Sequence, residues 1–550
     1  MRYITGLCTL LLSVSLWSQP VEKYELLTDR QYYVAGEHLR FRVFDLSQFE
    51  EGEQFSKVYY LELVSPEGNS FVRSKALLEA EGTSGSIQIP LDLPSGNYYL
   101  KGYTRWMRNR GPGAYAYQQV RVINPYEKRI LGSPGETPEA IRLEFQSQGS
   151  SPDKWLNCDL PEELSAGNLV EFRLSGKEGP GRISSCVSIA LKGLVPDSHS
   201  LYPVEAVPGY EEKGYIAETR GVSISGKVIE EKLEEPVPYA AVYISGLGQV
   251  KDFRCNYTDS AGRFYFSLPE IEGEQQFFIS SHKKNQDHAT LILDQDFCQE
   301  ALNLPFQELI LDSSLIGLIS GMSVNAQLAF QYALEAENEE NESGLVSRGT
   351  FFYGEAPVII AFDNFIRLPA LEEYFSELTP QVSVIKEKGL REFRIHGSNP
   401  DLQFYDPLIM VDGVAIFDVE AVLGINPRLV DHFEIVDAPY VVGNVTFGGM
   451  LNVVTREGDL GRIDLPSSGL LLNYIMSSSE WIEGSEYQDD PRIPDLRNTL
   501  LWDSRLDLNS GEGKAYSFAL PGKAGRYELL VRGFTPGGKY LEFRKEFHVR

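Results

Sequence analysis

The sequence predicts a mainly β, multidomain chain, and three observations carry that reading. At roughly 150 residues per domain, 550 residues make about three to five domains, each with ample core. The 49 glycines and 30 prolines supply tight turns, and the 29 tyrosines and 29 phenylalanines favour strands between them. Short stretches alternating apolar and polar residues recur along most of the chain, at the two-residue period of a half-buried strand. A hydrophobic content of 42% with 23% charged residues is ordinary globular usage, which excludes a disordered chain and a fibre. The 50 basic and 78 acidic side chains leave a formal charge of −28, with no Lys/Arg-rich run. Nucleic acid and anionic membrane surfaces are therefore not expected as partners, because both need a basic face.

Residues 1–18 place one positive charge (Arg2) before an apolar run from Ile4 to Trp17, followed by Ser18-Gln19-Pro20. That is the layout of a secretory signal peptide, cut after Ser18. The run is shorter than the roughly 20 residues a membrane span needs, and Cys8 stands too early for a lipidated N-terminus. No later apolar run is long enough to span, so no membrane span is expected in the mature chain. Four cysteines remain after cleavage, Cys158, Cys186, Cys255 and Cys298. In an oxidising compartment four cysteines allow three pairings. Neighbour pairing (158–186 and 255–298) keeps each bridge inside one domain, and free buried thiols are the alternative. Without a C-x-x-C, a redox or zinc role is not expected.

Residues 19–126 read as a first sandwich. YYVAGEHLRFRVFDL (32–46) alternates around a Gly-Glu turn, KVYYLELVSPEGNSFV (57–72) forms a hairpin at Pro66-Glu67-Gly68, and SIQIPLDLPSGNYYLKGYTRW (86–106) turns at Pro94-Ser95-Gly96. The YxxGE pattern followed by LPSGNYYLKGYTRWMRN (93–109) resembles the MG2 type of macroglobulin-like β-sandwich found at the start of exported Bacteroidota proteins. Residues 127–220, with NLVEFRLSG (168–176) and SSCVSIALKGL (184–194), read as a second, divergent sandwich. Residues 221–298 run SGKV, then P-x-P-x-A-x-V, then TDSAGRFYF. This order resembles the carboxypeptidase regulatory-like domain, a small transthyretin-type sandwich that accompanies peptidases without being one.

Residues 299–348 break the β pattern. MSVNAQLAFQYALEAENEENE (322–342) has Val324, Leu328, Tyr332 and Ala336 at helical spacing, then an acidic run, and reads as a helix entering a solvated linker. Residues 349–463 contain IMVDGV with an Asp412-Gly413 hairpin turn, INPRLVDHFEIV, and GNVTFGGMLNVVT. That series resembles the plug domain of TonB-dependent outer-membrane receptors. A receptor plug is followed by a barrel, and too few residues follow Ile463 to build one, so transport by this chain alone is not expected. Residues 464–550 repeat an earlier pattern, LPGKAGRYELLVRGFT against LPSGNYYLKGYT at 93–104, and read as a C-terminal macroglobulin-like sandwich. The expected fold is thus a chain of macroglobulin-like and transthyretin-like sandwiches with one small α+β plug-like domain.

Catalytic and metal signatures are sparse. His38, His199, His282, His288, His396, His432 and His548 are scattered, and the pair 282/288 reads as a polar loop. GVSISG (221–226) fails as a nucleophile elbow at Ser225, and no P-loop or dinucleotide fingerprint occurs. Asp252 and Asp259 could offer oxygens to calcium, though an Asx turn explains Asp259 equally well. No catalytic, cofactor or metal residue is assigned, and no enzyme activity is expected.

Two places qualify as partner-binding candidates. YTRWMRNRGPGAYAYQQV (103–120) is a locally basic, aromatic patch with Arg105, Trp106, Arg108, Tyr115 and Tyr117, residue types that anchor interfaces; filling of the sandwich core is the alternative. Asn444 and Phe447 lie in GNVTFGG (443–449), a loop type that receptor plugs use to meet other surfaces. The architecture implies a non-catalytic scaffold subunit at the outer membrane, on its periplasmic or cell-surface side, held by a β-barrel protein or other envelope subunits. An exported accessory protein that binds a glycan or peptide is the alternative.

Overall fold

The structure is a computed structural model. It describes residues 21–550 apart from 48–54, 81, 134–138, 149–154, 178–181, 197–199, 204–209, 212, 248–250, 269–272, 284–288, 312, 343–350, 388–389, 467–468, 477–494, 510 and 536. The signal sequence, His199 and His288 lie outside the described residues. The chain is mainly β, with 49% in strands against 12% in helix, as the turn-rich composition and alternation imply.

The first unit packs Tyr24–Thr28, His38–Asp45 and Gly82–Gln88 against a sheet ordered Ala116–Ile123, Gly96–Thr104, Val58–Val64, Ser70–Leu77. The hairpin at Pro66-Glu67-Gly68 forms as expected, with Val58–Val64 antiparallel to Ser70–Leu77. Tyr33, Phe41, Tyr59, Tyr98 and Tyr103 fill the space between the sheets and are fully buried. Each such ring contributes about 1.5–3 kcal/mol relative to exposure, so the high Tyr and Phe content is the core itself.

The second unit faces Arg263–Ser267, Ser223–Glu230 and Ala289–Leu293 against Gly273–His282, Ala241–Leu247 and Phe253–Tyr257. Gly262 closes the turn before Arg263 at φ +69°, where a Cβ would stand 2.7 Å from the Val228 carbonyl oxygen. One further strand, Leu470–Met476, pairs along Gly273–Ile279 and touches the first unit where Met476 meets Lys75. The sheets of the two units thereby become one eleven-stranded sheet with a shared core.

The α+β unit has a sheet ordered Val358–Ala361, Val430–Val436, Met450–Thr455, Leu408–Val411, Val414–Ala415, with helices Leu371–Glu377 and Val419–Leu423. The Asp412-Gly413 turn forms with both residues at positive φ (49° and 84°), as a two-residue hairpin requires. The Asp412 carboxylate accepts hydrogen bonds from the Thr455 amide (2.8 Å), the Thr455 hydroxyl (2.6 Å) and the Leu460 amide (2.9 Å).

The expected separate sandwiches at 127–220 and 464–550 are instead two halves of one. Leu169–Gly176 pairs with Gly513–Ala519. Ile183–Leu191 lies between Thr499–Leu508 and Gly525–Phe534, so both its neighbours come from the far end of the chain. Each half contributes strands to both sheets, so neither half closes a core without the other. Partner choice is non-local and leaves no trace in the period of either half. The second unit, the long helix and the α+β unit are all inserted within this sandwich.

The long helix spans Ser313–Glu342, beginning earlier than its sequence pattern suggests. Its Leu315, Ile319 and Met322 pack among Tyr32, Val34, Leu194 and Leu530, bridging the first unit and the divided sandwich. Val324 and Leu328, expected on its apolar face, are 54% and 38% exposed. The four cysteines are unbonded. Cys298 sits in the core shared by the first and second units and Cys255 between the second and α+β units. Cys158 and Cys186 likewise pack in different clusters, so neither neighbour pair is in contact. Among the described residues no helix is long and apolar enough to cross a membrane.

Candidate functional site: a tyrosine-lined cleft where three units meet

Beyond strand Gly96–Thr104 the chain makes a short 3-10 turn, Trp106–Asn109, which drives two arginines into the second unit. Arg105 donates from Nη1 to Ser223 Oγ (2.5 Å) and from Nη2 to Ser225 Oγ (3.2 Å). Ser223 Oγ donates to Glu218 Oε1 (2.6 Å), and Ser225 Oγ to Asp294 Oδ2 (2.7 Å). Arg108 Nη1 donates to the carbonyls of Gln295 (3.1 Å) and Asp296 (2.7 Å), and its Nη2 to the Tyr215 hydroxyl (2.8 Å). Its guanidinium also lies 4.0 Å from the centre of the Tyr215 ring.

These contacts form one wall of an open cleft of about 1010 Å³. The strand Arg263–Ser267 supplies the opposite wall by simple alternation: Phe264 and Phe266 point into the core, Arg263 and Tyr265 out. Tyr257 and Tyr239 complete that wall, and Ile216 the rim. Four large apolar side chains around one concavity are exposed: Ile216 at 73%, Tyr239 at 68%, Tyr265 at 47% and Tyr257 at 43%. Burial of the remainder of each ring pushes the Tyr257 and Tyr265 hydroxyls above their ordinary pKa, so both are neutral at physiological pH.

Tyr239 occupies a left-handed backbone conformation, φ +57°, which a bulky residue rarely adopts and glycine would hold without strain. The α+β unit reaches the cleft through Asn444, whose Oδ1 accepts from the Tyr257 amide (2.9 Å). Gly443 permits that approach, since a Cβ there would stand 2.0 Å from the Cys255 carbonyl oxygen. Asn256 Nδ2 donates to the Tyr265 carbonyl (3.2 Å).

Among the cleft's cations, Arg105 and Arg108 are engaged within the joint, and Lys213 pairs with Glu300 at its edge. Burial alone would raise the Glu300 pKa, but hydrogen bonds from Cys298, Lys213 and Tyr210 outweigh it and hold it at about 2. The exposed Arg263 guanidinium has no partner among the described residues.

The expected partner-binding residues divide. Arg105, Arg108 and Asn444 line the cleft. Trp106 is half-buried, edge-on to Phe55 at 5.0 Å. Tyr115 stacks on Tyr103 at 4.4 Å, Tyr117 donates to the Pro112 carbonyl (3.1 Å), and Phe447 lies against Tyr243. Tyr115, Tyr117 and Phe447 are buried in the core, and Arg105 and Arg108, each less than one-tenth exposed, reach the cleft wall only with a small part of their side chains. The same aromatic and basic character that suits an external interface here closes joints between units of one chain. Tyr215, Tyr239, Tyr257, Arg263 and Tyr265 escaped the sequence reading; the outward positions of an aromatic strand and a tyrosine at a turn position were the available signals.

The weaker expectations also have definite places. Asp259 Oδ1 accepts from the amides of Ala261 and Arg263, both at 2.8 Å, which makes it an Asx turn, and Asp252 pairs with Arg254 at 2.9 Å. His282 stacks on Phe417 with ring centres 4.4 Å apart. Among the described residues no group of three or more His, Cys, Asp or Glu is placed to hold a metal ion.

No family model matches the sequence, and no curated protein does. Among solved structures, Escherichia coli alpha-2-macroglobulin activated by porcine elastase is similar over 96% of this chain and 44% of its own, at 8% identity and a TM-score of 0.23. Salmonella alpha-2-macroglobulin reacted with methylamine is similar over 96% and 39%, at 10% identity and a TM-score of 0.23. Dimeric latent PorU from Porphyromonas gingivalis is similar over 50% and 34%, at 11% identity and a TM-score of 0.16. The chain spans less than half the length of each. Scores this low establish neither a shared family nor a shared activity.

Proposed function

We propose that this chain is a non-catalytic, exported interaction scaffold of the cell envelope, associated with an outer-membrane β-barrel assembly or transport complex. The observation that carries the reading is the edge of the α+β unit. Strand Val358–Ala361 ends its sheet, with a partner on one side only among the described residues. Ile359 on that strand is 55% exposed, and Phe365 and Ile366 just beyond it are 41% and 86% exposed. An open strand edge beside exposed apolar side chains is a surface made for pairing with another chain. The inserted topology supports the same reading, because a unit whose flanking chain is woven into two sheets is held in place while it docks.

Export rests on the layout of residues 1–18. The non-catalytic character rests on the serines of the 221–226 motif, which are committed to Arg105, Glu218 and Asp294. Gentle detergent extraction of the native membrane, capture of the tagged full chain and mass spectrometry test the proposal. A β-barrel protein at fixed stoichiometry is expected, and recovery of the chain alone in the aqueous fraction sinks it.

A second reading, an exported protein that binds a glycan or peptide, is favoured by the exposed tyrosines of the cleft.

A further inference from the structure

We propose that the cleft beside Arg105 binds an acidic oligosaccharide, a chain of sugars carrying carboxylates. The inference rests on the second reading above and narrows it to one ligand chemistry. Four features of the cleft lead to it.

The first is shape and lining. Sugar rings present flat C–H faces that pack on aromatic rings and a rim of hydroxyls that need directional polar partners. Tyr239, Tyr257 and Tyr265 offer exposed faces around one concavity, while Asp259, Arg263 and Asp294 stand among them.

Backbone chemistry is the second. A peptide that adds as a strand needs free amides and carbonyls along a sheet edge. Two groups bordering the cleft are already capped by side chains, the Tyr257 amide by Asn444 and the Tyr265 carbonyl by Asn256. Among the described residues the edge strand Arg263–Ser267 pairs with Ser223–Glu230 on one side only, and Asn256 and Asn444 obstruct its open side next to the tyrosines, so side-chain groups and ring faces are the larger part of what a ligand meets.

Charge is the third. Of the lining cations, Arg105 and Arg108 are engaged in the joint and Lys213 with Glu300, so on a chain of formal charge −28 the exposed Arg263 is the cation of the cleft left without an acceptor among the described residues. Screening over about 8 Å at physiological salt makes that guanidinium, and not the net charge of the chain, the charge a ligand in the cleft meets. Asp259 accepts from backbone amides and Asp294 from Ser225, and neither forms an ion pair with Arg263 among the described residues. A carboxylate on the ligand would meet that guanidinium as a charge-assisted pair.

Strain is the fourth. Tyr239 holds a left-handed backbone with its ring 68% exposed, so burial in the core does not compensate the conformation. A strained, exposed aromatic in a concavity is the pattern of a ligand contact.

The test is isothermal titration of the full chain with hexagalacturonate, using maltohexaose as a neutral sugar and hexaglutamate as an acidic peptide. Tyr265→Ala and Arg263→Gln alter side chains on the outward face of their strand, and thermal melts confirm that both variants fold. Hexagalacturonate is expected to bind, more weakly as salt rises, and to lose about tenfold in affinity in Tyr265→Ala. Arg263→Gln is expected to erase its preference over maltohexaose. Equal binding of maltohexaose to the unaltered chain, or hexagalacturonate binding that neither variant weakens, overturns the inference. Hexaglutamate binding that depends on Tyr265, with no sugar bound, overturns the sugar but keeps a ligand site. Binding of none of the three overturns both.

Discussion

Val187 and Val531 face one another as partners in an antiparallel ladder, although two other folded units lie between them in the chain. Their pairing closes a sandwich whose first strands are Leu156–Cys158, Glu163–Leu164 and Leu169–Gly176 and whose last is Tyr540–Val549. The inserted units are anchored at both ends by that closure. Leu529, fully buried in the central strand, tests its weight. Leu529→Ala is expected to cost about 2–5 kcal/mol, read as a lower denaturant midpoint. A chain truncated after residue 466 is expected to be cut by protease between 156 and 191, because strand Ile183–Leu191 then loses both neighbours.

A buried ion pair lies inside the first unit. Lys101 Nζ stands 2.6 Å from Glu62 Oε1 with both side chains 1% exposed, and the Tyr103 hydroxyl donates to the same oxygen at 2.8 Å. Removing Lys101 leaves the buried Glu62 carboxylate with only the half-exposed Arg73, 3.4 Å from its other oxygen, so Lys101→Met is expected to cost about 3 kcal/mol. The double variant Lys101→Met, Glu62→Leu is expected to recover most of that loss. Chemical denaturation of the two variants checks both statements.

The joint at Arg105 has a local readout. Arg105→Ala removes two hydrogen bonds to Ser223 and Ser225 and leaves cavity space beside strand Ser223–Glu230. Amide exchange is expected to speed up in that strand and in Trp106–Asn109, while the divided sandwich keeps its protection. Uniform acceleration over the whole chain would contradict a local joint.

His432 gives a pH signature. Its hydrogen bond to Glu434 raises its pKa above the ordinary 6.5, burial opposes the rise, and Asp431 adds to it. A raised folded pKa means that the protonated ring stabilises the fold. That contribution is complete below about pH 6.5 and disappears as pH climbs through the raised value. His432→Gln is therefore expected to lower stability by about 1 kcal/mol near pH 5.5 and hardly at all near pH 9, as thermal melts at the two pH values would show.

Tyr239 separates stability from binding. Replacing it by glycine relieves a left-handed conformation at an exposed site, so Tyr239→Gly is expected to be neutral or to gain up to about 1 kcal/mol. The same change is expected to weaken hexagalacturonate binding. A clear loss of stability would assign the ring a structural role instead.

Local features were legible in the sequence to the extent that their causes are local. The Pro66-Glu67-Gly68 hairpin and the Asp412-Gly413 turn follow from residues that tolerate positive φ, and both form. The echo between 93–104 and 520–535 is physical too: Gly96–Thr104 and Gly525–Phe534 are both interior strands, flanked on each side. Strand partnership was not legible. Leu470–Met476 alternates no differently from any strand, yet it joins the second unit and not the sandwich that follows it. The partner-binding candidates divided for a related reason. Residue type marks Arg105 and Tyr115 as interface formers, but whether the interface lies inside the chain depends on what the fold brings opposite. The cleft was only half visible, because its tyrosines come from turn and strand positions that converge in space alone.

The most direct test of an envelope scaffold docked through its open edge strand is photocrosslinking in intact cells, with a photoreactive residue at position 359 or 366 of the full chain. One β-barrel envelope protein is expected to be captured from both positions and not from a control position on the divided sandwich, such as 171. Crosslinks to no other protein, or equal capture from position 171, would contradict docking through that edge.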